Sequence, residues 1–104
     1  METIAFKMQL HPGFEKEYKK RHDEIWPDLK AILKEAGIKD YSIFYDSSTN
    51  ALFGILKTDK PDTFNELPKK EIMQKWWKYM ADIMETNPDG SPMSLKLDQV
   101  FFMS

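Results

Sequence analysis

The apolar residues of this chain keep two different periods, in an order that leaves few folds open. Ile4, Phe6, Met8 and Leu10 alternate with Ala5, Lys7 and Gln9, the two-residue repeat of a strand over residues 3–10. His11-Pro12-Gly13 ends it. From Phe14 to about Ala36 the repeat becomes helical, through Phe14, Tyr18, Ile25, Leu29, Ile32 and Leu33, and Gly37 supplies the stop. Pro27 suits the first turn of a helix but not its interior. A kink or restart is therefore predicted between Asp23 and Pro27, with His22 at a helix end facing open space. Segments 38–45 and 51–57 are rich in β-branched and aromatic residues and flank Asp46-Ser47-Ser48-Thr49-Asn50, which predicts a hairpin. A short helical piece follows Asp59 and Pro61. Pro68 then opens a helix over 69–84 whose stripe is Ile72, Met73, Trp76, Trp77, Met80, Ile83 and Met84. Residues 86–92 form a turn-rich loop, and Leu95 to Met103 is expected to be a final strand.

The order β-α-β-β-α-β predicts an α+β sandwich of the ferredoxin-like kind, an antiparallel sheet with its helices on one face, in a single domain spanning residues 1–104. The middle strands are apolar on both sides: Ile43 and Tyr45 against Phe44, and Phe53 and Ile55 against Leu52 and Leu56. A sheet of that kind should not leave its second face in water. A second copy covering it gives a homodimer in the form of a dimeric α/β barrel, which encloses partly apolar space suited to a small ligand.

Composition removes several function classes. With 15 basic and 17 acidic residues interleaved at a net charge of −2, no basic field is expected to attract nucleic acid or an anionic membrane. There is no cysteine, and His11 and His22 lack metal-ligand spacing, so neither a metal nor another cofactor is implied. No signal segment or long apolar run is visible, which leads us to expect a soluble, cytoplasmic chain. The charged run Glu15, Lys16, Glu17, Lys19, Lys20 and Arg21 reads as a solvated helix face, and the seven methionines read as core filler.

What remains is a histidine among aromatic rings. Tyr18 and His22 are four residues apart and share a helix face, and imidazole both gives and takes protons near neutrality. Trp76 and Trp77 point about 100° apart on a helix, so at least one is left for a cavity or an edge. Tyr41 either packs on the sheet or joins them. Rings that stack on sugar C–H faces, beside polar groups that read hydroxyls, make a carbohydrate pocket conceivable.

The motifs Phe6-Lys7-Met8-Gln9, Tyr18-Lys19-Lys20-Arg21-His22 with Ile25-Trp26-Pro27, Gln74-Lys75-Trp76-Trp77-Lys78-Tyr79-Met80 and Asn87-Pro88-Asp89-Gly90-Ser91-Pro92 resemble, in order and across nearly the whole chain, the L-rhamnose mutarotase family. The resemblance implies a cofactor-free homodimer that interconverts the α and β anomers of L-rhamnose. His22 would be its proton donor, and Tyr18, Tyr41, Trp76 and Trp77 would contact the sugar. Asp23-Glu24 departs from the Asn-Pro that follows the histidine in some members. Three other readings compete: a cofactor-free or haem-degrading monooxygenase on a dimeric α/β barrel, a sugar-binding protein without catalysis, and an RNA-binding module. The last is disfavoured because strand 51–57 lacks a basic start and paired stacking aromatics.

Overall fold

A computed structural model describes all of residues 1–104. Strand β1 (Glu2–Gln9) is followed by helices α1 (Glu15–Asp23) and α2 (Pro27–Glu35), the hairpin β2 (Ile38–Asp46) and β3 (Ala51–Thr58), the short helix α3 (Pro61–Asn65), a 3-10 turn at Leu67–Lys69, helix α4 (Glu71–Met80) and strand β4 (Ser94–Leu97). The sheet order is β2-β3-β1-β4 with every pair antiparallel. This is the ferredoxin-like arrangement expected from the period pattern.

The long helical stretch is two helices, as Pro27 demands. Pro27 has no N–H to continue a ladder and opens α2 as its first residue. Asp23-Glu24 in place of Asn-Pro does not remove the break. The expected helix over 69–84 is shorter, because extended backbone at Lys70 (ψ 133°) separates the 3-10 turn from α4. Beyond Met80 the chain continues in turns that still bury Ile83 and Met84.

Register shows which side chains share a face. Phe6 lies opposite Gly54 and Lys96, and Gly54 opposite Ile43. That row, with Met8, Leu52 and Leu56, faces the helices. Met8, Leu10, Tyr18, Leu29, Leu52, Trp76, Met80, Ile83 and Met84 form one buried cluster. Gly54 leaves room for a neighbour: a Cβ there would collide with the ring of Phe6, which occupies the space a side chain would take.

The opposite face carries Phe44, Phe53 and Leu95 in line with Lys7, and Ile55 and Leu97 in line with Ala5. Phe44 is 60 % and Leu95 68 % exposed. The two-sided apolarity read from the hairpin is thus real. The final strand is a correction. β4 stops at Leu97, and residues 98–104 leave the sheet with Val100, Phe101, Phe102 and Met103 exposed. Strand-like composition alone does not hold a segment that has no surface to pack on.

Candidate active site

Between the helix layer and the sheet lies a cavity of about 1280 Å³, open to solvent. Tyr18, His22, Tyr41, Trp76 and Trp77 all line it. Five residues drawn from α1, β2 and α4 are therefore brought to one space, although spacing related only neighbours on the same helix and the family resemblance alone joined the rest.

The α1 contribution follows from helix geometry. Tyr18 and His22 stack with ring centroids 4.3 Å apart and planes at 29°. His22 lies in the last turn, since the chain leaves the helix at Glu24. It does not face open space, as its place at a helix end suggested. Trp76 of α4 meets it edge-on at 5.5 Å and 88°, leaving His22 half-buried. Its Nδ1 is 3.0 Å from the Tyr18 carbonyl oxygen. A carbonyl only accepts, so Nδ1 carries hydrogen and donates it. Burial moves the pKa of His22 below the ordinary imidazole value, opposed by this hydrogen bond and by Asp23. A neutral ring with hydrogen on Nδ1 has its lone pair on Nε2.

Tyr18 is only 8 % exposed, and its hydroxyl makes no hydrogen bond within the protein. No side-chain polar atom in the fold is sealed away without a partner, so that hydroxyl opens onto the cavity. Desolvation, with the nearby Tyr41 phenol adding to it, pushes its pKa well above the ordinary phenol range. Tyr18 is a neutral donor at any physiological pH.

Tyr41 reaches the cavity through a backbone irregularity. The β2–β3 register shifts between Lys39 and Ser42, and Asp40 takes φ 52°. This is a bulge, with two residues opposing one. Ile38 and Tyr41 are three positions apart and in a regular strand would point to opposite faces; the extra residue puts both on the helix side. The Tyr41 ring stands edge-on to Phe6 at 6.3 Å. Part of the residue is exposed, yet its oxygen is enclosed, and burial pushes its pKa up to about 12.

Trp76 and Trp77 divide as their spacing requires. Trp77 is half-buried, whereas Trp76 is buried. Trp76 is held edge-on by Trp26 at 5.1 Å, and Tyr79 stacks on Trp26 at 5.5 Å. The Arg21 guanidinium lies 4.3 Å over the Tyr79 ring. Arg21 is a second correction, because only 10 % of its side chain is exposed. It donates to Glu17 at 2.8 Å, to Asp82 at 2.9 and 3.3 Å, and to the Tyr79 carbonyl at 2.8 Å. The residue after Lys20 is thus a clamp between the end of α1 and the end of α4, not part of a solvated face. Glu17 is an ordinary i,i+4 partner on the same helix, but Tyr79 and Asp82 lie about sixty residues away, and no local pattern announces them.

Sequence reasoning also passed over Asn87, Ser91 and Lys96, which line the same cavity. Asn87 donates to Ser91 Oγ at 3.0 Å and to the Pro92 carbonyl at 3.3 Å, which shapes the loop over the opening. Lys96 lies beside Phe6 in register, on the helix-facing side of β4. Asn87 and Ser91 belong to a quoted motif, but nothing in it distinguished a lining residue from a turn residue. No three of the His, Asp and Glu side chains converge as metal ligands would. No helix is long and apolar enough to cross a membrane.

Residues 3–103 match the family model described as L-rhamnose mutarotase. The chain is similar to the L-rhamnose mutarotase of Bacteroides thetaiotaomicron, with 55 % identity over 103 residues that cover 99 % of each chain. It superposes on the crystal structure of an L-rhamnose mutarotase from Formosa agariphila with a TM-score of 0.93 and 48 % identity, covering 100 % of both chains. A protein of Shewanella oneidensis, at 15 % identity and a TM-score of 0.61 over 93 % of this chain and 88 % of that one, shares the fold alone.

Proposed function

Because the chain belongs to the L-rhamnose mutarotase family, we propose that it interconverts the α and β anomers of L-rhamnopyranose by ring opening and closure, with no cofactor. The observation that carries this reading is the convergence of His22, two tyrosines and two tryptophans on one cavity. Anomer exchange needs a proton delivered to the ring oxygen and one removed from the anomeric hydroxyl. The pyranose opens, the aldehyde turns about C1–C2, and the ring closes on the other face. His22 serves this proton transfer, while Tyr18, Tyr41, Trp76 and Trp77 hold the sugar. The Trp77 face is suited to the apolar side of the ring, and the phenols to its hydroxyls.

The reading includes a homodimer. A second copy laid against the first would cover Phe44, Ile55, Leu95 and Leu97, and residues 100–103, which follow β4 in the chain, are further exposed apolar surface. Exchange of L-rhamnose anomers followed by NMR saturation transfer, with and without the protein, tests the reaction and the substrate together. Acceleration of exchange well above the buffer rate is expected. An unchanged rate with saturable binding would leave a sugar-binding protein.

A further inference from the structure

We infer that His22 starts the reaction as the base, taking the anomeric proton on Nε2, and that the Tyr18 phenol is the acid that protonates the ring oxygen. This rests on the mutarotase reading and assigns the direction of each proton within that site.

Two pieces of geometry lead here. The first is the 3.0 Å contact between His22 Nδ1 and the Tyr18 carbonyl, which consumes the Nδ1 proton in a fixed hydrogen bond. A neutral ring held in this way has no proton to give at Nε2, only a lone pair. The second is the Tyr18 hydroxyl. It belongs to a residue more than nine-tenths buried, has no partner within the protein, and opens onto the cavity. The rings stack at 4.3 Å, so a proton acceptor and a proton donor stand on one wall, as two oxygens bonded to a single anomeric carbon require. Burial favours both resting forms, neutral imidazole and neutral phenol.

The step balances without a co-reactant. Nε2 takes the O1 proton, the O1–H pair becomes the second C1–O1 bond, the C1–O5 pair leaves with O5, and O5 takes the Tyr18 proton. Imidazolium and phenolate are then stacked neighbours of opposite charge, which offsets the cost of forming either in a dry site. After rotation about C1–C2, the phenolate recovers its proton from O5 as O5 attacks C1, and the imidazolium returns its proton to O1. The donor role that the family resemblance implies for His22 belongs to this return step.

The titratable and charged groups that line the cavity with His22 are Glu15, Lys16, Tyr18, Lys19 and Asp23 from α1, Lys30 from α2, Tyr41 and Tyr45 from β2 and Lys96 from β4, while α4 presents Trp76 and Trp77. Among these side-chain types only imidazole ordinarily titrates between pH 5 and 8. The kcat/KM for L-rhamnose, corrected for the buffer reaction, should therefore stay level from high pH down through the ordinary imidazole value of about 6.5 and fall only below it, as His22 protonates at its lowered pKa. Nitrogen-15 NMR of the sugar-free protein at pH 7 should show a bare Nε2. Tyr18→Phe should lower kcat by about 10²–10⁴-fold while the sugar dissociation constant changes only a few-fold. A rate that rises as pH falls through 6.5, or a protonated Nε2 in the neutral ring, would overturn the base assignment. A Tyr18→Phe variant with kcat kept and only KM raised would overturn the acid. A parent protein that accelerates no L-rhamnose exchange at any pH would instead remove the mutarotase reading itself.

Discussion

At the scale of single residues, the site depends on what each group is denied. His22 is denied full hydration, so its folded-state pKa lies below the ordinary value of about 6.5. Its neutral form is favoured by folding. That contribution is fully present above the unfolded-state pKa and is lost as pH falls from there toward the folded value, because the unfolded chain protonates first. Denaturant titrations from pH 7.5 to 5 should show the parent losing stability relative to His22→Asn below about pH 6.5, with a difference slope of at most about 1.4 kcal/mol per pH unit. Equal pH dependence in the two proteins would mean that burial does not govern this histidine. Trp77, half-buried at the cavity, is a separate case. Trp77→Ala should weaken L-rhamnose binding by about 2 kcal/mol, roughly 30-fold, as read by fluorescence of the remaining tryptophans. Unchanged affinity would return Trp77 to a packing role.

At the scale of elements, two local features of the middle strands shape the cavity wall. The Asp40 bulge aims Tyr41 inward, and Gly54 leaves room for the Phe6 ring against which Tyr41 stands. Gly54→Ala forces that ring to move. It should cost about 1–3 kcal/mol by overpacking, at about 4–8 °C of Tm per kcal/mol for a domain of this size, and should weaken sugar binding through displaced Tyr41. Calorimetry and a binding titration on the same sample check both effects. A Tm within a degree of the parent would show that Phe6 has another place to go. The Arg21 clamp works similarly between helices. Its planar fork holds Asp82 with two nitrogens while its face covers Tyr79, so Lys in its place would keep the charge but not that geometry.

At the scale of the whole molecule, one apolar sheet face and an apolar C-terminal segment stand uncovered. A face bearing Phe44, Ile55, Leu95 and Leu97 is unusual for a protein that stays monomeric. A stable interface removes about 800 Å² from each partner. Light scattering at micromolar concentration should give the mass of two chains for the parent and of one for Phe44→Asp, since an unpaired carboxylate at the centre of an apolar contact is strongly disfavoured. A parent that is already monomeric would end the dimer proposal.

The sequence by itself determined the elements and their order, because strand and helix periods, Pro27 and the Asp46–Asn50 turn act over a few residues each. It also located the Tyr18–His22 pair, which helix spacing alone makes neighbours. Only tertiary structure decided what surrounds that pair. Trp76 closes on His22 from more than fifty residues away, Arg21 leaves solvent to hold Asp82, and the bulge turns Tyr41 inward. The lowering of the His22 pKa follows from that enclosure, which the residue type alone does not foretell. The final strand ends at Leu97 for the same reason: residues 98–103 have strand-like composition, but a strand persists only where another surface receives it.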